Sequence, residues 1–81
     1  MQILKLRSDL EKKLRKYSLQ KKFQKASRLF ENNPRHPSLH MELLEPKHLG
    51  IYSFRIDQKF RARFIVVGGK AEIIDISVHY A

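Results

Sequence analysis

Residues 52–80 read YSFRIDQKFRARFIVVGGKAEIIDISVHY, and the alternation in this stretch decides the fold. Tyr52, Phe54 and Ile56 alternate with Ser53, Arg55 and Asp57. Phe60, Ala62 and Phe64 alternate with Arg61 and Arg63; Ile74, Ile76, Val78 and Tyr80 alternate with Asp75, Ser77 and His79. A period of two, apolar then polar, is the pattern of an antiparallel strand with one face buried. Gly68-Gly69 is a hairpin signal, because glycine supplies the positive φ of the tight primed turns. Asp57-Gln58-Lys59 is expected as the other turn. The stretch therefore predicts three consecutive antiparallel strands.

Toward the N-terminus the period changes to that of a helix. Leu10, Leu14 and Tyr17 fall at i, i+4 and i+7, and Leu19, Phe23, Ala26 and Phe30 continue the spacing with Leu29 widening the stripe. Ser8-Asp9-Leu10-Glu11 matches a capping box, and Ser18 is expected to cap the second helix. Asn32-Asn33-Pro34 is expected to end it, with asparagine in the left-handed cap and proline unable to continue. Residues 2–6, QILKL, predict a short opening strand. In the segment 34–49 the prolines 34, 37 and 46 exclude a long helix, and residues 38–44 fit a short turn or strand. The fold class is α+β: a two-helix hairpin on one face of a small twisted antiparallel sheet, in one domain covering 1–81.

The chain has 81 residues, with 17 Lys and Arg against 8 Asp and Glu, a net charge of +9. A domain this small hides only about 60% of the surface of its unfolded chain, so self-repulsion of that size works against a modest stability. The excess points to polyanionic partners: nucleic acid, an acidic protein, or both. There is no cysteine, which removes disulfide and thiolate chemistry. The apolar runs fall short of the ~20 residues that a membrane helix needs, and a soluble cytoplasmic protein without a signal peptide is expected. His36, His40 and His48 lack zinc-ligand spacing, and no metal or other cofactor is expected.

If the alternating apolar set faces the helices, Arg55, Arg61, Arg63, Asp75, Ser77 and His79 share the opposite face. Forked arginine donors suit phosphate oxygens, and a histidine beside them exchanges protons near neutral pH. Such a face is suited to holding and cutting a phosphodiester. The same pattern also fits a solvated sheet face carrying an Arg–Asp pair.

The runs NPRHPSLHMELL (33–44), LGIYSFRIDQKFRARF (49–64) and IIDISVHY (73–80) resemble the RelE/ParE superfamily of bacterial toxins. The likeness covers nearly the whole chain, and its most specific pieces are YSFRID with KFRA and the closing His-Tyr. RelE- and YoeB-like members are endoribonucleases that enter the ribosomal A site and cleave mRNA, directing the 2′-hydroxyl onto its own phosphate without a metal. ParE-like members share the fold and act on DNA gyrase. Both are neutralised by a small antitoxin, so the resemblance implies a cognate antitoxin as partner.

By that resemblance Arg61 contacts the scissile phosphate and Arg55 is a second basic group. His79 and Tyr80 match the closing pair, of which one protonates the 5′-oxygen and the other orients substrate. The general base stays open among His40, Glu42 and Glu45; RelE-like enzymes use lysines in this loop, where Lys47 stands alone. Arg63, Lys12, Lys13, Lys16, Lys21, Lys22, Lys25 and Lys47 are expected to grip RNA phosphates. The alternatives are a ParE-like gyrase inhibitor and a catalytically degenerate binding module on the same fold.

Overall fold

The computed structural model describes residues 1–78. The helices are α1, Ser8–Lys16, and α2, Gln20–Asn32. The strands are β1, Glu42–Leu43, β2, Tyr52–Arg55, β3, Phe60–Val67, and β4, Lys70–Val78. They form one antiparallel sheet in the order β1-β2-β3-β4, and both helices pack on one face of it. The α+β architecture expected from the periodicities is the one observed.

Side chains from both layers meet in one apolar core. Phe30 of α2 lies 5.0 Å from Phe54 and 5.1 Å from Phe64, ring centre to ring centre, and Phe54 and Phe64 are 5.9 Å apart. All three are fully buried, each contributing about 1.5–3 kcal/mol by removal from water. Leu10, Leu14, Leu19 and Phe23 close the helical side; Ile56, Phe60, Ala62, Ile73 and Ile76 close the sheet side. In β2 and β3 the inward set is the one the alternation predicts.

In β4 it is not. The register slips between Arg63 and Phe64, where Arg63 faces Asp75 but Phe64 faces Ile73. Ile74 is the extra residue of this β-bulge, and one extra residue moves the inward positions by one. Ala71 and Ile73 are therefore the buried residues ahead of the bulge, and Ile76 resumes the expected phase after it. The freed carbonyl of Ile74 accepts a hydrogen bond from Arg7 Nη2 at 3.1 Å. The opening strand is reduced to one parallel bridge, Ile3 to Ala71, along the outer edge of β4. Glu31 of α2 fixes it by accepting from the Ile3 amide at 2.9 Å.

The turns are local chemistry. Gly68 and Gly69, at φ +57° and +76°, form a two-residue hairpin between the paired Val67 and Lys70. Asp57 Oδ1 accepts from the amides of Lys59 at 2.8 Å and Phe60 at 2.7 Å, which closes the β2–β3 turn. Burial raises the Asp57 pKa, but these two amides and Lys22 outweigh it and hold the carboxyl below its ordinary value.

Both expected N-caps are corrected. The capping box does not form: Arg7 is the N-cap, and its carbonyl accepts from the Leu10 and Glu11 amides, each at 3.1 Å. The Arg7 side chain is tied to Asp9 and to β4, which starts the helix at Ser8 and leaves that hydroxyl without a capping role. Ser18 does not cap α2 but closes α1. Its φ of +54° is left-handed, its amide donates to Arg15 O at 3.1 Å, and Leu19 N donates to Leu14 O at 2.8 Å. This is a Schellman closure with serine at the position that glycine favours. Asn33 is extended rather than left-handed, and its side chain accepts from the Arg35 amide.

Replacing Ser18 with glycine removes the steric cost of the left-handed backbone and is expected to stabilise the fold by about 0.5–1 kcal/mol. Urea unfolding of Ser18→Gly beside the parent measures this; an unchanged or lower midpoint would contradict the left-handed closure.

Candidate functional site

On the side of the sheet away from the helices, a cleft of about 270 Å³ opens over the strands. Glu42 and Leu44 line it from β1 and the loop after it, Ser53 from β2, Arg61 and Arg63 from β3, and Ser77 and Val78 from β4. The register places these residues in two rows across the sheet. One runs Glu42, Ser53, Arg63, Asp75; the next runs Arg55, Arg61, Ser77.

Arg61 is the centre of the cleft and is only 5% exposed. Its Nε donates to Ser53 Oγ at 2.9 Å, and its Nη2 donates to the carbonyls of Ser53, at 3.3 Å, and of His40. All of these acceptors are uncharged. Among the described residues no carboxylate is in ion-pair contact with Arg61. Burial pushes its pKa below the ordinary arginine value; nearby Glu42 opposes that shift and Arg55 adds to it. An arginine stays charged under such a shift, so the fold keeps a buried, hydrogen-bonded cation with Glu42 nearby but no carboxylate in contact among the described residues.

The His40 carbonyl reaches Arg61 because of local backbone geometry. Pro37–Leu39 form a 3₁₀ turn whose start is held by His36 Nδ1, which accepts from the Ser38 amide at 3.2 Å. His40 ends the turn at φ +43°, a left-handed conformation that costs a non-glycine residue about 1–2 kcal/mol. His40 lines a different groove with Arg35, His36, Pro37 and Met41 and is not among the residues lining the cleft. What His40 contributes to Arg61 is its carbonyl.

The expected residues divide accordingly. Arg61, Arg63 and Glu42 come together. Arg55 is the cross-strand partner of Arg61, yet it lines a separate groove with Lys22, Lys25, Ser38 and Asp57. The open face is thus not a single flat array of arginines: Arg61 is sunk into it and Arg55 stands at its end. Asp75 is partnered by Lys13 of α1 at 3.4 Å rather than by an arginine. Glu45 and Lys47 are exposed and do not line the cleft. Lys12, Lys13 and Lys16 flank a groove with Asp9 and Tyr17 on the helical side, Lys21 is exposed, and Lys22 pairs with Asp57 at 3.1 Å. The expected pair His79 and Tyr80 lies outside the described residues. Among those described, no group of three or more histidines and carboxylates is placed to hold a metal ion.

Two contributors were not anticipated from sequence: the Ser53 hydroxyl and the His40 carbonyl. Ser53 offered a small signal, a hydroxyl at a polar register position between glutamate and arginine rows. The carbonyl offered none, since it depends on a left-handed residue that is not glycine.

If the charge of Arg61 is uncompensated, Arg61→Met removes hydrogen bonds and an unpaired buried cation together. The unfolding free energy is expected to change by less than about 2 kcal/mol, because the two effects oppose each other. A loss of about 3–5 kcal/mol in denaturant titration, the cost of breaking a buried ion pair, would show that the fold neutralises Arg61 after all.

No protein-family model matches the sequence, and no curated protein matches it. Solved structures do. A YoeB/ParE toxin from Agrobacterium tumefaciens superposes with a TM-score of 0.73 at 19% identity, covering 99% of this chain and 100% of its own. The YoeB–YefM complex from Staphylococcus aureus gives 0.71 at 19% identity, with 99% of this chain and 98% of that one covered. A heterotetrameric YoeB–YefM toxin–antitoxin complex from the same organism gives the same values. The two-helix, four-strand arrangement that carries the Arg61 cleft is the fold of the RelE/YoeB-like toxins.

Proposed function

We propose that this chain is the toxin of a toxin–antitoxin pair and cleaves mRNA on the ribosome. The observation that carries the reading is Arg61: a buried guanidinium held by neutral oxygens, facing a cleft that also contains a carboxylate. A cation with no carboxylate in contact among the described residues is suited to an anion from outside, and a phosphodiester meets the requirement.

In the proposed reaction the 2′-hydroxyl of a nucleotide attacks the adjacent phosphorus. Glu42 takes the hydroxyl proton. Arg61 and Arg63 stabilise the charge that gathers on the phosphate oxygens. The bond to the 5′-oxygen breaks, and that oxygen receives a proton from His79 or Tyr80, the residues directly after cleft-lining Val78. The products are a cyclic 2′,3′-phosphate and a 5′-hydroxyl. Glu42 is preferred to Glu45 and His40 as the base because it alone of the three is among the residues lining the cleft. Lys12, Lys16, Lys21, Lys25 and Lys47 supply exposed cations for RNA phosphates outside the cleft. Lys13 and Lys22 join them by exchanging weak surface ion pairs.

An antitoxin is the proposed protein partner, supported by two matched structures that are toxin–antitoxin complexes and by the net charge of +9. Binding to RNA is expected to weaken with salt, with a slope of roughly −0.7 per phosphate contact on single strands.

Primer extension on a reporter mRNA after brief induction tests the reading. Cuts confined to translated codons are expected. Arg61→Ala is expected to reduce cleavage by about 10²–10³-fold, the cost of removing one preorganised donor from a charged transition state. Glu42→Gln is expected to reduce it by about 10²–10⁴-fold. Intact mRNA alongside growth arrest would overturn the nuclease reading in favour of a gyrase inhibitor, and intact mRNA with normal growth would leave a binding module.

A further inference from the structure

Arginine has five N–H donors in a rigid fork. In Arg61 the Nε donor goes to Ser53 Oγ, and Nη2 serves the carbonyls of Ser53 and His40. The Nη1 donors have no partner among the described residues. One edge of the fork is thus tied to β2 and the opposite end is left for the cleft. We propose that Ser53 is the positioning residue of this site: its hydroxyl holds the Nε edge of Arg61, so that the Nη1 end is presented to a substrate phosphate. The inference rests on the reading of the cleft as a phosphodiester site.

The chemistry of the acceptor matters as much as its place. A carboxylate at position 53 would hold the guanidinium equally firmly and cancel its charge. An apolar side chain would leave the charge intact and the fork free to turn. A hydroxyl fixes the fork and leaves its charge available. Ser53 is only 2% exposed, so water cannot readily replace it as the partner of Nε. It is also held in register on both sides, opposite Glu42 of β1 and Arg63 of β3. The hydroxyl therefore sits on an interior strand of the sheet, paired on both sides, where a displacement of the fork would be felt directly by a bound phosphate.

Three variants and two readouts test this. In the first, cleavage of ribosome-bound mRNA is followed for the parent, Ser53→Ala and Ser53→Thr. Misaimed donors lose more at the transition state than in binding, so Ser53→Ala is expected to lower kcat by about 10–100-fold with KM changed less than about threefold. Ser53→Thr keeps the oxygen and is expected to remain within about threefold of the parent. In the second, the Arg61 Nε–H resonance is followed by ¹⁵N NMR. It is expected to exchange slowly with water in the parent and Ser53→Thr and to be lost in Ser53→Ala. Should Ser53→Ala not fold, Ser53→Cys, a weaker acceptor of similar size, takes its place with the same expected losses.

Full activity and a protected Nε–H in the alanine or cysteine variant would overturn the proposal. So would a folded threonine variant that behaves like alanine. If the parent cleaves no mRNA, the nuclease reading fails separately, and titration with inorganic phosphate decides the role of Ser53. An Arg61 resonance that responds to phosphate in the parent and Ser53→Thr but not in Ser53→Ala supports it. An equal response in all three, or none in the parent, overturns it.

Discussion

The packing of Phe30, stacked on Phe54 and edge-on to Phe64, is the constraint on which the rest of the molecule depends. Once two residues of alternate strand positions are committed to that packing, the pleat leaves no freedom to the others. Ala62 and Phe60 follow Phe64 inward, and Arg61 and Arg63 are turned to the far face. The cleft is thus a consequence of where three phenyl rings find cover. It also explains why the catalytic candidates come from strands and not from helices: the helices occupy the face that must stay dry.

Turning Arg61 outward did not leave it in water. Ser53 of β2 and the left-handed His40 hold it, and the guanidinium is buried with only neutral oxygens accepting from it among the described residues. Removing a charge from water is costly unless a counter-charge or strong hydrogen bonds compensate, and here the hydrogen bonds compensate in part. On the reading proposed above, the remainder favours binding of an anion. A surface arginine on the same strand would hold phosphate too, but in high dielectric each contact would be worth far less. Arg63, exposed and one pleat away, is that weaker case.

The features legible in the sequence were those with a period. The helical stripes, the alternation in β2 and β3, the glycine hairpin and the Asp57 turn all repeat or punctuate a regular pattern, and each appears in the fold. The features that were not legible are single-residue departures. Ile73-Ile74 gives two adjacent apolar residues of nearly equal character, so nothing local says which one faces the core; the bulge resolves it through the pairing with Phe64. Ser18 has the chemistry of an N-cap and the position of a C-terminal closure, and the backbone, not the side chain, made the choice. Arg7 out-competed the capping box because its fork had a carbonyl 67 residues away to satisfy. At the site the division is the same. Arg61 and Arg63 were readable from alternation and Glu42 only as one of several candidates, whereas nothing in the alternation separates Arg55 into another groove.

Charge ties these points to the stability of the whole domain. A net +9 on 81 residues repels itself, and the Arg61 cation adds an internal cost of the same sign. Both penalties act on the folded state far more than on the extended chain, where charges are farther apart and fully hydrated. A polyanion that binds only the folded form relieves them together and adds RT ln(1 + [L]/Kd) to stability, about 2.7 kcal/mol when present at a hundred times its Kd. For a domain whose core is limited by its size, that is a large share of what holds it folded. The features that make the free protein less stable are therefore the same ones that, on the proposed reading, favour an anionic partner, and neither can be tuned out without weakening the other.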